Sequence, residues 1–374
     1  MMSVSGGTQR SLLQEDQREY RIALTAGRVS IPPSYFLIDL LSSLSGQFRF
    51  EFTSQRFDAP PAVSALLDAP PARSTSIVGC VRRLISFRPD IIHQHWATWS
   101  TPAVVAARVL RVPLVVSVHG YDAFLPRSPG AFGRVVDLVK RLERKVALRA
   151  ASAVVVNSDF MRDRVAELGV RDESIRLIRH VVDVDKFIPG PAERSGIVYV
   201  GRLSVEKGCD ILIRAVSLMS VETYERLIIV GAGPDESMLR DLASSLNVEC
   251  EFRGSLLQDE VIAELQAAKV AVVPSKPARG QVEASGITPL EAQACGTPTV
   301  VTRVGGLPEN IPDRFEGLIC DPNPESMASA VSLLLGADLE AVGRKVRKHV
   351  VTYHHRKLLG ANFRNLYFDL LAGY

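Results

Sequence analysis
Two cations follow a short apolar run in the segment Gly201-Arg202-Leu203-Ser204-Val205-Glu206-Lys207-Gly208. The run itself, Ile197–Val200, is rich in β-branched and aromatic residues and reads as a strand. Arg202 and Lys207 then lie at a strand's carboxyl end, where open α/β sheets bind their ligands. An arginine offers a planar fork of donors and a lysine a mobile point charge, a pairing suited to phosphate oxygens. Gly201 lets backbone come close to such a ligand. The plainer reading of the same residues is a solvated loop with two surface cations.

A second constellation is Glu283-Ala284-Ser285-Gly286-Ile287-Thr288-Pro289-Leu290-Glu291-Ala292, with two carboxylates eight residues apart. Thr288 reads as a helix N-cap, Pro289 as the first helical residue and Gly296 as the stop. The first N–H groups of a helix lack internal partners and favour an anion. Glu283 falls in the loop before this helix and Glu291 in its first turn, where a carboxylate can accept hydrogen bonds from sugar hydroxyls. Two other readings stay open. Thr288-x-x-Glu291 matches a capping box, in which Glu291 serves only the Thr288 N–H, and Glu283 alone is an exposed loop acid.

The third is Val118-His119-Gly120-Tyr121-Asp122, which sets His119 at the end of an apolar strand. Facing a cleft, its imidazole could donate to a substrate oxygen; as a lone histidine it reads equally as a core or turn residue. His93 and His95 share one face of a strand, but no third ligand stands at a recognisable spacing, so no metal is expected. Gly231-Ala232-Gly233-Pro234 lacks the third glycine of a dinucleotide fingerprint and reads as a loop opening the next helix. The cysteines at 80, 209, 250, 295 and 320 form no CxxC pair and read as reduced thiols of a cytosolic protein.

The elements that must position these groups alternate along the chain. Strand-like runs at Arg21–Thr25, Phe48–Phe52, Asp90–His93, Leu114–Val118 and Ala153–Val156 are separated by helical stretches such as Pro102–Leu110 and Arg134–Ala150. A Pro-Gly-Pro linker lies within Ile188–Ser195, and the alternation then restarts. Strands are expected at Gly196–Val200, Leu227–Val230, Cys250–Phe252, Val270–Val273 and Pro298–Thr302. Helices are expected at Cys209–Met219, Glu236–Leu246, Asp259–Ala268 and Leu290–Cys295. This alternation predicts an α/β protein of two facing Rossmann-like, doubly wound parallel-sheet halves. The natural binding site is the interdomain cleft beyond the strands' carboxyl ends.

The 374 residues, 47% hydrophobic and 23% charged, suit a soluble globular protein of about two domains. A net charge of +3 argues against a nucleic-acid-binding protein, which carries a larger basic excess. The charge is unevenly shared. Residues 1–190 hold 25 Lys and Arg against 18 Asp and Glu, and residues 191–374 hold 19 against 23. Residues 1–19 lack the apolar core of a signal peptide and read as a disordered leader. No apolar run is long enough to span a membrane. The stretch Arg134–Arg149 sets Val135, Leu138, Val139, Leu142 and Val146 on one helical face, with Arg134, Lys140, Arg141, Arg144, Lys145 and Arg149 beside them. It reads either as a packed helix with a solvated face or as a basic amphipathic helix suited to an anionic membrane.

The stretches PDIIHQHWA, SVHGYD, VVVNSDFMRDRVAELGV, VDVDKF, VYVGRLSVEKG, LIIVGAGP, VEASGITPLEAQACGTPTVV and VGGLPE, in this order and spacing, resemble the retaining, nucleotide-sugar-dependent glycosyltransferases of family 4. The resemblance covers nearly the whole chain after about residue 20. It implies the GT-B architecture: an acceptor-side domain at 20–190 after the 1–19 leader, a donor-nucleotide domain at 191–353, and a C-terminal helix at 354–374 crossing back to the first domain. Arg202 and Lys207 match the pair that neutralises the donor diphosphate. Glu291 matches the acid that holds the ribose hydroxyls, and Glu283 the glutamate that contacts the transferred sugar. Gly286, Ile287 and Thr288 match the backbone N–H groups around sugar and diphosphate, and His119 the histidine near the reaction centre. Gly27 stands in for the glycine-rich loop after the first strand.

The implied reaction is transfer from a UDP- or GDP-type sugar to a glycan or lipid-linked acceptor in surface polysaccharide or glycoconjugate biosynthesis. It proceeds by front-face attack with retention, and fixed cations make a divalent metal or other cofactor unnecessary. The implied setting is cytoplasmic, on the inner face of the plasma membrane. The chain departs from the family at three places: the thin Ala26-Gly27-Arg28-Val29 loop, His180-Val181-Val182-Asp183 in place of the frequent Asn-Gly-Val-Asp, and Ala284 where a glycine is usual. A sugar-nucleotide isomerase or hydrolase of the same architecture and a non-catalytic scaffold are the competing readings.

Overall fold
The computed structural model describes residues 19–30, 36–58, 72–73, 76–125, 128–190, 193–220, 226–312, 315 and 318–373. The expected leader, Glu19 apart, lies outside the described residues. The chain forms two all-parallel sheets. The first contains β1 (Arg21–Ser30), β2 (Arg49–Asp58), β3 (Ala72–Arg73), β4 (Ile91–His95), β5 (Leu114–Ser117), β6 (Ala153–Val156) and β7 (Ile175–Leu177). Their order is β3-β2-β1-β4-β5-β6-β7. The second contains β8 (Ile197–Val200), β9 (Leu227–Val230), β10 (Cys250–Gly254), β11 (Val270–Val273), β12 (Thr299–Thr302) and β13 (Ile319–Cys320), in the order β10-β9-β8-β11-β12-β13.

Both orders reverse beside the first strand of the sheet, between β1 and β4 and between β8 and β11. Loops leaving adjacent strands there diverge to opposite faces and leave a crevice. Strands β4, β5, β6, β9, β11 and β12 are buried at every position, as expected where helices cover both faces. In the first half these helices are α1 (Phe36–Leu44), α2 (Ile77–Phe87), α3 (Thr101–Leu110), α4 (Tyr121–Phe124), α5 (Gly130–Ala150) and α6 (Asp159–Glu167). In the second they are α7 (Cys209–Ser217), α8 (Glu236–Ser245), α9 (Gln258–Ala267), α10 (Thr288–Ala294), α11 (Pro324–Leu335) and α12 (Leu339–Tyr353). A final helix, α13 (Lys357–Ala372), packs against α1; its Leu359, Phe363, Leu366 and Tyr367 join the core around Ile22, Leu24 and Leu40.

Several elements differ from the sequence reading. β1 and β2 run on to Ser30 and Asp58 because their backbones pair in register along their whole length, whatever side chains they carry. The two- and three-residue edge strands β3, β7 and β13 are too short for any periodicity to show. Thr288 is not the N-cap of α10. The chain turns through Gly286 at φ +78° and the helix begins at Thr288, with Ile287 as its cap and no side-chain capping bond. The Thr288–Glu291 capping box therefore does not form.

The packed-helix reading of α5 also fails. Phe132, Val135, Leu138, Val139, Leu142 and Val146 are 45% to 83% exposed, and the helix is anchored by its other face. Ala147 and Leu148 enter the core, and the acids Asp137 and Glu143 turn inward to Ser128 and to Trp99 N and Thr101 Oγ1. Arg144, expected among the surface cations, is buried and donates to the carbonyls of Asp122 and Ala123. No single described helix is long and apolar enough to cross a membrane.

Candidate functional site
The carboxyl ends of both sheets open on one cleft of about 670 Å³, within the usual range for small-molecule sites. The second half contributes the loop after β8, the end of β11 and the segment Glu283–Pro289 with Glu291. The first contributes Phe36, Ile38 and Asp39 of α1, Trp96 after β4, His119 after β5, Asn157 after β6 and His180–Asp183 after β7.

The loop after β8 is held from three sides. The buried Tyr199 hydroxyl donates to the Arg202 carbonyl at 2.8 Å, and Ser204 Oγ to Glu206 Oε1 at 2.5 Å. Lys276 N donates to the Glu206 carbonyl at 3.0 Å. Behind it lies the Gly231–Pro234 loop, where Leu203 N donates to the Ala232 carbonyl and Asp235 N to the Leu203 carbonyl, both at 3.1 Å. A Cβ on Gly231 would stand 1.9 Å from the Gly201 carbonyl oxygen, and one on Gly233 2.1 Å from that of Leu203. These glycines thus serve backbone-to-backbone packing that sets the cation loop.

The Arg202 side chain is exposed and forms no hydrogen bond or ion pair among the described residues. Lys207 Nζ lies 2.5 Å from Glu283 Oε2, which also accepts from Ser275 Oγ at 3.3 Å. A mobile cation, a free cation and a carboxylate therefore meet across the two loops, beside Gly286, Ile287 and Thr288.

Glu291 faces Asp39 across the cleft. Burial, with the Asp39 charge added, pushes the Glu291 carboxyl up to about 7. Burial likewise raises Asp39 to about 6, against the pull of Arg356 and with the push of Asp183. Arg356 is itself paired with Asp183 at 2.7 Å. Two carboxyls short of donors favour a ligand that brings its own, such as a diol.

His119 is both a core residue and a cleft residue. Its ring sits 4.7 Å from that of Phe36, 4.8 Å from Trp96 and 5.4 Å from His95, and Nε2 shares a hydrogen bond with His95 Nδ1 at 3.2 Å. The His95 ring lies 4.3 Å from that of His93, tilted by 30°; His93 is held by Tyr367 Oη and Ser117 Oγ, each at 2.7 Å. Burial first, then neighbouring imidazoles, lowers His95 and His119 well below the usual range and His93 to about 3. His119 is therefore a neutral imidazole. Asp122 orients the backbone beneath it, accepting from His119 N at 3.0 Å and Ala97 N at 2.7 Å.

Both ring nitrogens of His93 are taken by protein partners, His95 uses Nδ1 while its buried Nε2 has no hydrogen-bond partner, and no cluster of three His, Cys, Asp or Glu suited to a metal occurs among the described residues. All five cysteines are free, and burial pushes the Cys250 and Cys295 thiols up to about 12, away from nucleophilic character.

The structure brings Arg202, Lys207, Glu283, Glu291, Gly286, Ile287, Thr288 and His119 together. Gly27 does not join them. β1 continues straight through it, and its Cα faces Trp99, whose Cβ a side chain there would meet at 3.0 Å. Sequence reasoning missed Asp39, Asn157 and Arg356 and treated His180 only as a departure. A positional signal was available for Asn157, which directly follows the last residue of β6.

Two family models match end to end, Glycosyltransferase Family 4 over residues 39–186 and Glycosyl transferases group 1 over residues 184–349. A glycogen synthase of Mycobacterium tuberculosis is 32% identical over 276 residues, 70% of this chain and 64% of that protein. A D-inositol 3-phosphate glycosyltransferase of Acidothermus cellulolyticus is 31% identical over 293 residues, 71% of this chain and 64% of that protein. The chain thus matches under two thirds of the length of these curated relatives. Among solved structures, a glycosyltransferase from Rickettsia africae superposes with a TM-score of 0.75 at 18% identity, covering 94% of this chain and 99% of that one. Anabaena HepE in complex with UDP and glucose gives 0.76 at 18% identity, covering 93% and 99%.

Proposed function
Because the chain belongs to the group 1 glycosyltransferases and has their two-domain GT-B fold, we propose that it moves a hexosyl unit from a nucleoside-diphosphate sugar to a glycan or lipid-linked acceptor, with retention. The observation that carries this reading is the convergence of Arg202, Lys207, Glu283 and Glu291 on one interdomain cleft.

In this mechanism the donor diphosphate lies against Arg202 and Lys207. Negative charge grows on the leaving phosphate as the glycosidic bond breaks, and the two cations, once drawn to the bound diphosphate, stabilise it without a divalent metal. Lys207 turns from Glu283 to the phosphate, which frees the Glu283 carboxylate for the hydroxyls of the transferred sugar. Glu291 takes the ribose diol with Asp39 opposite. Neutral His119 borders the sugar without adding charge. The acceptor hydroxyl attacks from the leaving-group face and gives its proton to the departing phosphate. The named relatives use sugar-polymer and inositol-phosphate chemistry, which supports a hydroxyl acceptor; a role in surface polysaccharide or glycoconjugate assembly is our extension.

The test is a thermal-shift screen of UDP, GDP, ADP and their sugars with EDTA present. A ligand at 100 times its Kd stabilises the fold by about 2.7 kcal/mol, so one nucleotide family should raise Tm selectively. No shift with any of them overturns the reading. Donor consumed at full rate without acceptor would make the protein a hydrolase or isomerase.

The exposed face of α5 extends this proposal to an anionic bilayer on the cytoplasmic side. Six apolar side chains point outward, flanked by the exposed Arg134, Arg141, Lys145 and Arg149, while both acids of the helix turn inward. Apolar insertion and cationic attraction then act on one surface. Vesicles rich in phosphatidylglycerol should retain the parent and lose Arg134→Glu/Lys145→Glu/Arg149→Glu. Equal retention of both, or none of the parent, refutes the contact.

A further inference from the structure
The loop Val304–Asn310 touches both halves of the molecule at once. On one side it clamps the backbone that carries Glu283: Gly306 N donates to the Glu283 carbonyl at 3.1 Å, and Asn310 Nδ2 to the Ser285 carbonyl at 2.6 Å. The fit is close, since a Cβ on Gly305 would fall 1.8 Å from the Glu283 carbonyl oxygen. On the other side Glu309 reaches the first half. Its Oε2 accepts from Asp159 N at 2.8 Å and its Oε1 from Phe160 N at 2.9 Å, the opening N–H groups of α6. Arg179 holds Glu309 at 2.6 Å and Asp159 at 2.5 Å. Beside them Ser158 Oγ, which caps α6 through Met161 N, donates to the Ala284 carbonyl at 2.6 Å.

A carboxylate at a helix N-terminus, bonded to two N–H groups and a guanidinium, is a directional contact. It joins the two halves, so it requires them to be close together. From this geometry we infer that Glu309 is a positioning residue: it fastens the first half to the loop bearing Glu283, so that cleft closure and placement of Glu283 against the sugar are one event. Glu309 touches no part of the donor site; it acts through the 304–306 backbone. The inference rests on the glycosyltransferase reading for its consequence, though not for the contact itself.

Two measurements test it on the full chain. In turnover assays with the UDP- or GDP-sugar donor, and binding titrations with UDP or GDP, Glu309→Ala should lower kcat about 10- to 100-fold, since about 1 Å of misplacement costs that much. Affinity for the nucleotide alone should stay within about 3-fold, because the cations lie elsewhere. Glu309→Gln, keeping one acceptor oxygen, should fall between, and Ser158→Ala should combine with Glu309→Ala non-additively. Near-parent kcat in Glu309→Ala overturns the inference. So does an equal loss of kcat and nucleotide affinity, the sign of general disruption. Small-angle scattering of the ligand-free proteins is the second measurement: Glu309→Ala should enlarge the radius of gyration, and an unchanged radius overturns the contact. A parent that binds no nucleotide would refute the transferase reading and leave the scattering result to decide Glu309.

Discussion

The Lys207–Glu283 pair gives the sharpest test of the site, because the two residues have opposing tasks. The ammonium lies 2.5 Å from the carboxylate, and their side chains are 33% and 16% exposed. A diphosphate must draw Lys207 away and then tolerate a carboxylate nearby. Ion pairs open to solvent contribute at most about 1 kcal/mol, and this half-buried pair belongs near that upper value. Glu283→Gln removes the competitor and keeps the shape. Nucleoside diphosphate should therefore bind about 5-fold tighter, the equivalent of about 1 kcal/mol. Turnover should fall about 100- to 1000-fold, the usual loss when one preorganised transition-state contact is removed. Lys207→Ala should weaken nucleotide binding about 10-fold or more, since a charge-assisted hydrogen bond contributes about 1.5–3 kcal/mol. Arg202→Ala should cost at least as much, because Arg202 has no competing partner to leave. Isothermal titration of the nucleotide, beside steady-state turnover of the donor, reads both quantities. Weakening of about 10-fold in Glu283→Gln, or turnover within about 3-fold of the parent, would refute the assignment.

Glu291 is pushed up to about 7 and must be ionised to accept from a diol, so nucleotide affinity should fall as pH drops from 8 to 6; Glu291→Gln should flatten that profile, and a flat profile in the parent would contradict the role. Gly231→Ala places a Cβ 1.9 Å from the Gly201 carbonyl oxygen at φ +135°, so it should displace the cation loop and weaken nucleotide binding more than Gly336→Ala, whose Cβ would meet nothing nearer than 3.7 Å; equal effects would show that the backing loop is not needed. Desolvation lowers His93, His95, His119, His180 and His354 in the fold, His93 to about 3 and His354 to about 4. The unfolded chain therefore binds more protons below about 6.5, and stability should fall with pH through that window. Asp39 and Glu291, raised by burial to about 6 and about 7, and Glu51 and Asp122, also raised by burial, act in the opposite direction above about 4. The histidines outnumber them, so Tm should drop from pH 7 to 5; a rise would refute this balance.

Much of the donor side was legible in the chain itself. Arg202, Lys207, Glu283 and Glu291 follow strand runs and Gly-rich turns whose local chemistry is strong, and they remain near one another because both loops leave neighbouring strands of one sheet. The alternation of β-branched runs with amphipathic stretches was enough to foresee two parallel sheets, since each strand's burial is written in its own composition. Gly27 was misplaced for a matching reason: nothing local says whether a strand stops at a glycine or, by pairing with its neighbour, runs past it.

Apart from His119, the first-half wall and the link between the halves came only from tertiary structure. Asp39 is one acid on an ordinary helix until α13 carries Arg356 beside it and α10 brings Glu291 opposite. Glu309 sits in a motif legible as a loop, but its partners are Arg179 and backbone N–H groups of a helix some 150 residues earlier, and backbone donors carry no sequence signature. The outward face of α5 could not be decided from periodicity, because a helical stripe records which residues share a face and not whether anything covers it. Local propensity and spacing reach only as far as neighbouring residues; which faces meet, and which are left open, is set by how the sheets and helices pack.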